Sequence, residues 1–358
     1  MERLQSKNLF NFPLKGIAEG PVAEFAAQIK KISSSGPPAE IGRKINELAL
    51  NDDAQSLDQL LLMIRANNDG LAMVMRSFPP FQEAAKNTST TEFKVPTSHD
   101  GNFDVPVEVY TPNGLVGKSG ISAYIFAHGG GCVSGKARDS KPFLAFLALS
   151  ANVVVFNVDY RLAPETKAPN NVKDFYEAVK HISKNAKQLG VDPGKICIGG
   201  ESGGGYICLG TCVLLAQHDE SHLIKLALPI IPMVDDYAFS SPHSMTVDER
   251  SGYMVMRRIW TMISADLSTQ SEDPLLYPGK ASDEILARFP PTIVVEGEFD
   301  MFITESCRLA TRLRNAGRLL ELVVFPGVTH HICLWPGFRI SEMFDGTMKK
   351  IFDEYLHK

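Results

Sequence analysis

The run Gly200-Glu201-Ser202-Gly203-Gly204 places a serine in the spacing glycine-x-serine-x-glycine. The segment before it, Lys195-Ile196-Cys197-Ile198, is short and apolar, as a buried parallel strand should be, and Tyr206 to Gln217 has the pattern of a mostly apolar helix. Between a strand and a helix this spacing holds a serine on a sharp turn, because only small flanking residues permit the strained backbone. The N-terminus of the helix would also favour a developing oxyanion. We therefore predict that Ser202 is an exposed, activated nucleophile; a glycine-rich loop that simply turns is the alternative.

A second glycine-rich segment, His128-Gly129-Gly130-Gly131, directly follows the apolar strand candidate Tyr124-Ile125-Phe126-Ala127. Consecutive glycines let a backbone approach a substrate carbonyl closely and point its N–H groups inward. The amides of Gly130, Gly131 and Gly203 are therefore the predicted donors of an oxyanion hole. A flexible loop with a structural histidine is the alternative, but the segment precedes the serine in the order that an α/β hydrolase requires.

A third motif, Asp159-Tyr160-Arg161-Leu162-Ala163-Pro164-Glu165, follows the mostly β-branched run Val153 to Phe156. With the three motifs in this order, the chain resembles the hormone-sensitive-lipase-like family of α/β hydrolases, called family IV among bacterial esterases. The resemblance covers roughly residues 90 to 355. In the third motif we expect Asp159, Arg161 and Glu165 to form buried ion pairs that hold the loops beneath the site. A surface charge cluster is the alternative.

The resemblance also indicates which carboxylate would orient a catalytic base. A strand candidate, Pro291 to Glu296, is followed by the loop Gly297-Glu298-Phe299-Asp300. In the α/β hydrolase plan the acid comes from such a loop, and Asp300 matches the family's aspartate. Glu296 and Glu298 are its rivals.

The base is expected in the loop after the last strand candidate. The apolar pattern of that strand runs from Leu319 to Phe325. Aligning the pair Gly327-Val328 with the family pattern selects His330. His331 stands where relatives usually have glycine, so the neighbouring imidazole remains an alternative.

Two departures from the family pattern lie beside these residues. Gly203 stands where relatives usually have alanine, and Met301-Phe302 follows Asp300 in place of proline and leucine. Since the amide of Gly203 and the predicted triad are retained, we expect these changes to alter pocket packing rather than reaction type.

The resemblance implies a serine carboxylesterase that hydrolyses short- to medium-chain acyl esters through an acyl-enzyme intermediate. Ser202 would attack the ester, His330 would take the serine proton, and Asp300 would hold the imidazole in the productive tautomer. No metal or organic cofactor is required. A non-catalytic small-ligand receptor is the alternative from another class, as in the plant gibberellin receptors, but all three triad residues are present here. An arylamide deacetylase would share the triad.

The order of apolar segments predicts an α/β fold with a mostly parallel eight-stranded sheet, an antiparallel start and flanking helices. The strand candidates are Phe93–Val95, Val105–Tyr110, Ser122–Ala127, Val153–Val158, Lys195–Ile198, Lys225–Ile231, Thr292–Glu296 and Glu321–Phe325. The predicted division has N-terminal cap helices in 1–90, the α/β hydrolase core in 91–234 and 279–358, and a second cap segment in 235–278. Helical patterns in the caps cover Val22–Ile32, Ile41–Leu50, Leu57–Arg76 and Gly252–Leu267.

A helical cap over the serine would leave a restricted, apolar pocket that favours small, uncharged acyl groups. The side chains expected to bound the acyl or alcohol site are Tyr206, Tyr237, Phe239, Met301 and Phe302. Ordinary core packing is the alternative for each of them.

Composition places the chain among large soluble enzymes. Its 358 residues are 44% hydrophobic, enough for a sizeable core, and the net charge of -5 gives no electrostatic reason to expect nucleic acid or an anionic membrane as partner. We find no stretch long enough for a transmembrane helix, and we expect a cytoplasmic protein that acts on a small-molecule ester. The six cysteines show no zinc spacing, and Cys132 is expected to line the pocket and react with thiol reagents. The sequence does not decide whether the chain forms a homodimer.

Overall fold

A computed structural model of the protein describes residues 44–51, 53–97, 99–101, 103–236, 247–330 and 339–358. Several predicted features lie outside these residues: the helix at 22–32, the pocket candidates Tyr237 and Phe239, and the residues His331 and Cys333.

In the described part of the chain, eight strands form one sheet. They are β1 (Thr88–Pro96), β2 (Asp104–Pro112), β3 (Ile121–Ala127), β4 (Val154–Val158), β5 (Val191–Glu201), β6 (Leu226–Ile230), β7 (Thr292–Gly297) and β8 (Leu319–Phe325). Across the sheet their order is β1-β2-β4-β3-β5-β6-β7-β8. The pairs β1–β2 and β2–β4 are antiparallel, and every later pair is parallel. The eight predicted strands and the antiparallel start are confirmed.

Helices pack on both faces of this sheet. Their bounds are α1 (Ala54–Arg76), α2 (Pro79–Lys86), α3 (Ala137–Ala151), α4 (Asn170–Lys184), α5 (Gly203–Gln217), α6 (Val247–Ile263), α7 (Asp283–Leu286), α8 (Ile303–Asn315) and α9 (Arg339–Ile351). Successive side chains of a strand point to opposite faces, so β3 contributes to two cores. The core on one face includes Ala123, Ile125, Phe175 of α4 and Leu209 of α5. The core on the other face includes Tyr124, Phe126, Phe143 of α3 and Phe344 of α9.

Helix α5 lies in the middle of the molecule. Every residue from 203 to 216 is buried, as expected for a helix that is apolar all round. On its outer side the ring of Trp260 from α6 meets Tyr206 edge-on, with centroids 5.6 Å apart. Helix α6 therefore covers α5, which begins directly after the predicted nucleophile Ser202.

Two of the helices predicted in the cap regions have slightly different bounds in the structure. Helix α1 begins three residues before the predicted start at Leu57. Helix α6 ends at Ile263, four residues earlier than predicted, because the side chain of Gln270 accepts hydrogen bonds from Ser264 and from the next two backbone amides. No helix within the described ranges combines the length and the apolar character needed to cross a membrane.

The parallel strands bring the predicted site together. The carboxyl ends of β3, β5, β7 and β8 lie at one edge of the sheet, since these strands run in the same direction. The segments that follow them contain His128–Gly131, Ser202, Asp300 and His330, respectively. Ligands of open α/β sheets bind outside this edge.

Candidate active site

Ser202 occupies a sharp turn between β5 and α5. Its φ is +56° and its ψ is −116°, a conformation that L-residues rarely adopt. The backbone is fixed on both sides, because Ser202 N donates to Ile230 O at 2.9 Å and Met233 N donates to Ser202 O at 3.2 Å. The strained geometry is therefore held by the neighbouring strand β6 and the loop after it.

The glycines of the motif are required by close backbone contacts. A Cβ at Gly200 would lie 2.4 Å from Gly204 O, and a Cβ at Gly204 would lie 2.0 Å from Ala127 O. Both positions exclude any side chain, since real Cβ atoms do not approach this closely. The spacing glycine-x-serine-x-glycine thus results from packing the turn against the end of β3.

The three residues predicted to form a triad are in hydrogen-bond contact. Ser202 Oγ lies 2.8 Å from His330 Nε2, and His330 Nδ1 lies 2.8 Å from Asp300 Oδ2. An ionised carboxylate only accepts hydrogen bonds, so Nδ1 carries the proton and Nε2 is free to accept the serine hydroxyl. Asp300 is 2% exposed, and its other oxygen accepts a hydrogen bond from Phe302 N at 2.8 Å.

The two rival glutamates have other partners. Glu296 is fully buried at the end of β7, where Ser306 Oγ donates to its Oε1. Burial and the nearby charge of Asp300 raise the pKa of Glu296 well above its usual range. Glu298 accepts a hydrogen bond from Gly327 N at 2.7 Å. Neither takes the place of Asp300 beside the imidazole.

The loop His128–Gly131 packs tightly against the start of α5. Gly130 and Gly131 have φ values of +107° and +62°, which favour glycine. A Cβ at Gly203 would lie 2.8 Å from Gly131 N and 2.7 Å from Cys132 N. Glycine at 203, where relatives usually have alanine, therefore lets this loop approach the helix more closely than a side chain would.

The three predicted oxyanion donors are available for an additional hydrogen bond. Gly203 is the first residue of α5, and the first N–H groups of a helix have no partner within the helix. Within the described ranges, the N–H groups of Gly130 and Gly131 donate to no backbone carbonyl. These three N–H groups remain the predicted donors to an oxyanion.

A buried aromatic pair, His128 and Tyr160, packs at the start of this loop. The rings of His128 and Tyr160 stack with centroids 4.5 Å apart, and Tyr160 OH donates to His128 O at 2.7 Å. His128 Nδ1 is 2.8 Å from Gly129 O. Burial lowers the pKa of His128, which favours a neutral imidazole with a structural role.

The third motif forms two ion pairs that differ in burial. Arg161 pairs with Asp174 of α4 at 2.8 Å, and Asp174 is fully buried. Glu165 pairs with Arg65 of α1 at 2.7 Å, but its side chain is 61% exposed. Asp159 accepts a hydrogen bond from Ala137 N at 2.7 Å. The expectation of buried pairing therefore holds for Arg161 and is wrong for Glu165, whose carboxylate is largely exposed beside helix α1.

Two sequence interpretations of buried residues need correction. Tyr206 is fully buried and its hydroxyl donates to Leu275 O at 2.8 Å, so it joins α5 to the loop after α6 and does not bound a substrate site. Cys132 is also fully buried, and its thiol donates to Gly203 O at 3.3 Å. Burial raises the pKa of Cys132 to about 12, so the expectation of a reactive thiol is wrong.

Two further pocket candidates, next to Asp300 in the chain, differ in burial. Met301 is 46% exposed, whereas Phe302 is 2% exposed. The ring of Phe302 meets the His330 imidazole edge-on, with centroids 5.1 Å apart and an interplanar angle of 78°. Phe302 therefore packs against the predicted base, and its position is that of a core residue.

Sequence reasoning did not single out Ile259 or Arg65. A Cβ at Gly131 would lie 3.2 Å from the side chain of Ile259, so α6 supplies an apolar contact directly over the loop. The apolar pattern of this helix is visible in the sequence, but the residue that faces the loop is set by how the helix docks. Arg65 donates to Val133 O, two residues after this loop and 68 residues away from Arg65 in sequence.

Comparisons with known proteins identify relatives of the chain. Residues 124–334 match the family described as the α/β hydrolase fold. Carboxylesterase NlhH of Mycobacterium tuberculosis is 29% identical over 240 residues, which span 65% of this chain and 72% of that protein. An arylesterase of Saccharolobus solfataricus is 30% identical over 225 residues, which span 60% of this chain and 69% of that protein. A solved structure of a bacterial heroin esterase has a TM-score of 0.70 and 29% identity, and the match covers 82% of this chain and 91% of that one.

The family match extends over more than half of the chain and contains the loop, the elbow and both partners of the serine. The strand order and the three motifs support the same family assignment. The chain belongs to the α/β hydrolase fold family, in its hormone-sensitive-lipase-like group.

Proposed function

We propose that the protein is a serine carboxylesterase that hydrolyses uncharged short- to medium-chain acyl esters through an acyl-enzyme intermediate. The observation that carries this proposal is the pair of 2.8 Å contacts that link Ser202 Oγ, His330 and Asp300. Esterase activity fits the family and the relatives, which are named carboxylesterase, arylesterase and heroin esterase.

In the acylation half-reaction, Ser202 Oγ attacks the ester carbonyl carbon while His330 Nε2 takes the hydroxyl proton. Asp300 stabilises the resulting imidazolium through the hydrogen bond at Nδ1. The carbonyl oxygen becomes an oxyanion that accepts hydrogen bonds from the amides of Gly130, Gly131 and Gly203. Collapse of the tetrahedral intermediate breaks the bond to the alkoxy oxygen, which leaves as the alcohol with the proton from Nε2.

Deacylation repeats these steps with water as the nucleophile. His330 Nε2 takes a proton from water, the hydroxide attacks the acyl carbon, and Ser202 Oγ leaves with the proton returned by the imidazole. The products are the carboxylic acid and free enzyme. Residues of this chain supply the general base and the oxyanion donors for both half-reactions, and Ser202 supplies the nucleophile for the first.

The preference for uncharged acyl groups rests on the helices outside the sheet. We assign 1–90 and 235–278 to a cap, because Arg65 of α1 donates to Val133 O, just after the loop of the predicted oxyanion hole, and Ile259 of α6 lies beside Gly131 in that loop. The Ile259 side chain and the ring of Phe302 are buried beside this loop and His330, so apolar groups lie behind the surface around the scissile bond. Burying a charged acyl group against such surface without a partner would be costly.

The test is hydrolysis of p-nitrophenyl acetate, butyrate and decanoate by the wild type, by Ser202→Ala and by Ser150→Ala. Ser150 is a matched control, because its hydroxyl donates to Leu147 O within its own helix α3. We expect the wild type and Ser150→Ala to turn over acetate and butyrate faster than decanoate, and Ser202→Ala to lose turnover. Turnover that survives in Ser202→Ala would exclude Ser202 as the nucleophile.

A non-catalytic receptor and an arylamide deacetylase are the two competing functions. The intact Ser202–His330 contact disfavours the receptor, since binding alone does not need an oriented base. The deacetylase is separated by p-nitroacetanilide, whose amine is a poorer leaving group than p-nitrophenol. We expect the ratio of kcat/KM for p-nitrophenyl acetate to that for p-nitroacetanilide to be large, and a ratio near one would favour the deacetylase.

A further inference from the structure

Arg65 connects helix α1 to the segment that carries the predicted oxyanion donors. Its Nε donates to Val133 O at 2.9 Å, and its Nη2 donates to Ala163 O at 3.2 Å. Both carboxylate oxygens of Glu165 accept hydrogen bonds from the same guanidinium, at 2.9 Å and 2.7 Å. One side chain thus holds two backbone carbonyls and one carboxylate.

The two carbonyls belong to segments that also bond to the oxyanion loop. Val133 N donates to Gly130 O at 3.2 Å, and Ala163 N donates to Cys132 O at 2.8 Å. Gly130 O accepts two further hydrogen bonds, from the backbone and hydroxyl of Ser134. A shift of Val133 or Ala163 would therefore move the peptide units of residues 130 to 132.

The loop has little room to shift without changing the oxyanion donors. The backbone of Gly131 and Cys132 lies so close to Gly203 that a Cβ there would be 2.7 to 2.9 Å away. On the side of α6, the Ile259 side chain lies 3.2 Å from the position that a Cβ of Gly131 would take. Arg65 acts from the side of Val133, so the loop is held between α1, α5 and α6.

An arginine suits this position for a geometric reason. Its planar guanidinium carries five donors in a fixed fork, which can satisfy a carboxylate with two bonds while other N–H groups reach carbonyl oxygens. Lysine offers a single ammonium and cannot reproduce this set. Glu165 fixes the plane of the fork, although its side chain is largely exposed.

We infer that Arg65 is a positioning residue, through which helix α1 sets the direction of the Gly130 and Gly131 amides toward the oxyanion. This inference rests on the proposed esterase function, because it needs a reaction with a developing oxyanion. It extends that function, because helix α1, which precedes the sheet in the chain, would then help to stabilise the transition state.

The test compares Arg65→Ala, Arg65→Lys and Glu165→Ala with the wild type on p-nitrophenyl butyrate. Arg76→Ala is the matched control: it lies on the same helix and pairs with Asp139 at 2.7 Å, which is outside the loop. We expect Arg65→Ala and Arg65→Lys to lower kcat by about tenfold to a hundredfold with KM nearly unchanged, since a misplacement of about 1 Å can cost a hundredfold in rate. We expect Arg76→Ala to keep the kcat of the wild type.

Two further readouts separate positioning from a general loss of structure. A trifluoromethyl ketone that forms a hemiketal oxyanion at Ser202 should lose affinity for Arg65→Ala in proportion to kcat/KM, and ethylguanidinium added at millimolar concentration should restore part of kcat. A kcat equal to that of the wild type in Arg65→Ala, Arg65→Lys and Glu165→Ala would overturn the inference. So would a fall in melting temperature without a change in kcat or inhibitor affinity.

If neither Arg65 variant folds, Glu165→Ala decides, because the Glu165 side chain is 61% exposed and its removal takes away the carboxylate that orients the guanidinium. It should then lower kcat and inhibitor affinity together, and unchanged values would reject the inference. The proposed function fails separately: the wild type would then show no turnover that depends on Ser202, whatever the Arg65 variants do.

Discussion

Phe302 packs edge-on against His330, with ring centroids 5.1 Å apart, while its own backbone amide donates to Asp300. One residue thus contacts both the base and the acid of the predicted triad. We predict that Phe302→Ala lowers kcat by about tenfold, because the imidazole loses a wall that limits its rotation, and destabilises the fold by about 3 kcal/mol or more. The measurements are steady-state kinetics at a temperature where the variant is folded and urea unfolding.

Phe289→Ala is the control for that prediction. Phe289 is fully buried and precedes β7, whereas Asp300 follows this strand. The two variants should lose similar free energy of unfolding, but Phe289→Ala should retain kcat. Equal kcat values in both variants would show that Phe302 serves packing alone.

Asp300→Asn tests the orientation of the base. An amide in place of the carboxylate can donate to Nδ1 and select the wrong imidazole tautomer, so we expect kcat to fall on the order of 10⁴-fold, as in serine proteases with the equivalent change. Glu298→Gln keeps an oxygen to accept from Gly327 N and should change kcat by less than about threefold. Steady-state kinetics on p-nitrophenyl butyrate decides, and a larger effect in Glu298→Gln would move the acid to that residue.

Gly203→Ala tests the close packing of the oxyanion loop. The added methyl group would lie 2.7 to 2.9 Å from the backbone of Gly131 and Cys132, so the loop must move away from α5. We expect kcat to fall about tenfold or more, since oxyanion donors lose their alignment. Gly346→Ala on α9, where a Cβ meets no atom within 4 Å, is the control and should leave kcat unchanged. A fully active Gly203→Ala would show that the loop tolerates the displacement.

Glu296→Gln tests the buried carboxyl behind Asp300. Because burial and the charge of Asp300 raise the pKa of Glu296 above its ordinary value of 4.5, the folded protein binds a proton that the unfolded chain releases as pH rises. The wild type should therefore lose stability relative to Glu296→Gln above pH 4.5, with a limiting slope of about 1.4 kcal/mol per pH unit. Urea unfolding of both proteins at pH 5, 6, 7 and 8 measures this difference. A difference that does not change with pH would mean that Glu296 is ionised in the folded state.

Local motifs were sufficient to predict the elements that carry the site. The strand before Ser202, the glycines around it and the loop before it are each encoded in a few consecutive residues. Parallel strands then bring Ser202, Asp300 and His330 to one edge, so a correct strand order places residues that are up to 128 positions apart in sequence within hydrogen-bond distance.

Features that depend on how helices dock were not predictable from such patterns. Arg65 reaches Val133 and Glu165 across 68 and 100 residues, and nothing in its own neighbourhood marks it. Tyr206 is a pocket candidate in the sequence, but its hydroxyl donates to Leu275 O and its ring packs edge-on against that of Trp260. Cys132 follows the glycine loop, yet its side chain turns into the core.

The most direct test of the central claim is covalent labelling with a p-nitrophenyl alkylphosphonate, followed by peptide mass spectrometry. Such a reagent reacts with a serine when a base removes its proton and amides stabilise the oxyanion. The 2.8 Å contact with His330 Nε2 provides the base at Ser202. The account predicts one phosphonyl group per chain, on the peptide that contains Ser202, with loss of esterase activity in proportion to labelling. Full labelling at another residue, or activity that persists after Ser202 is labelled, would contradict it.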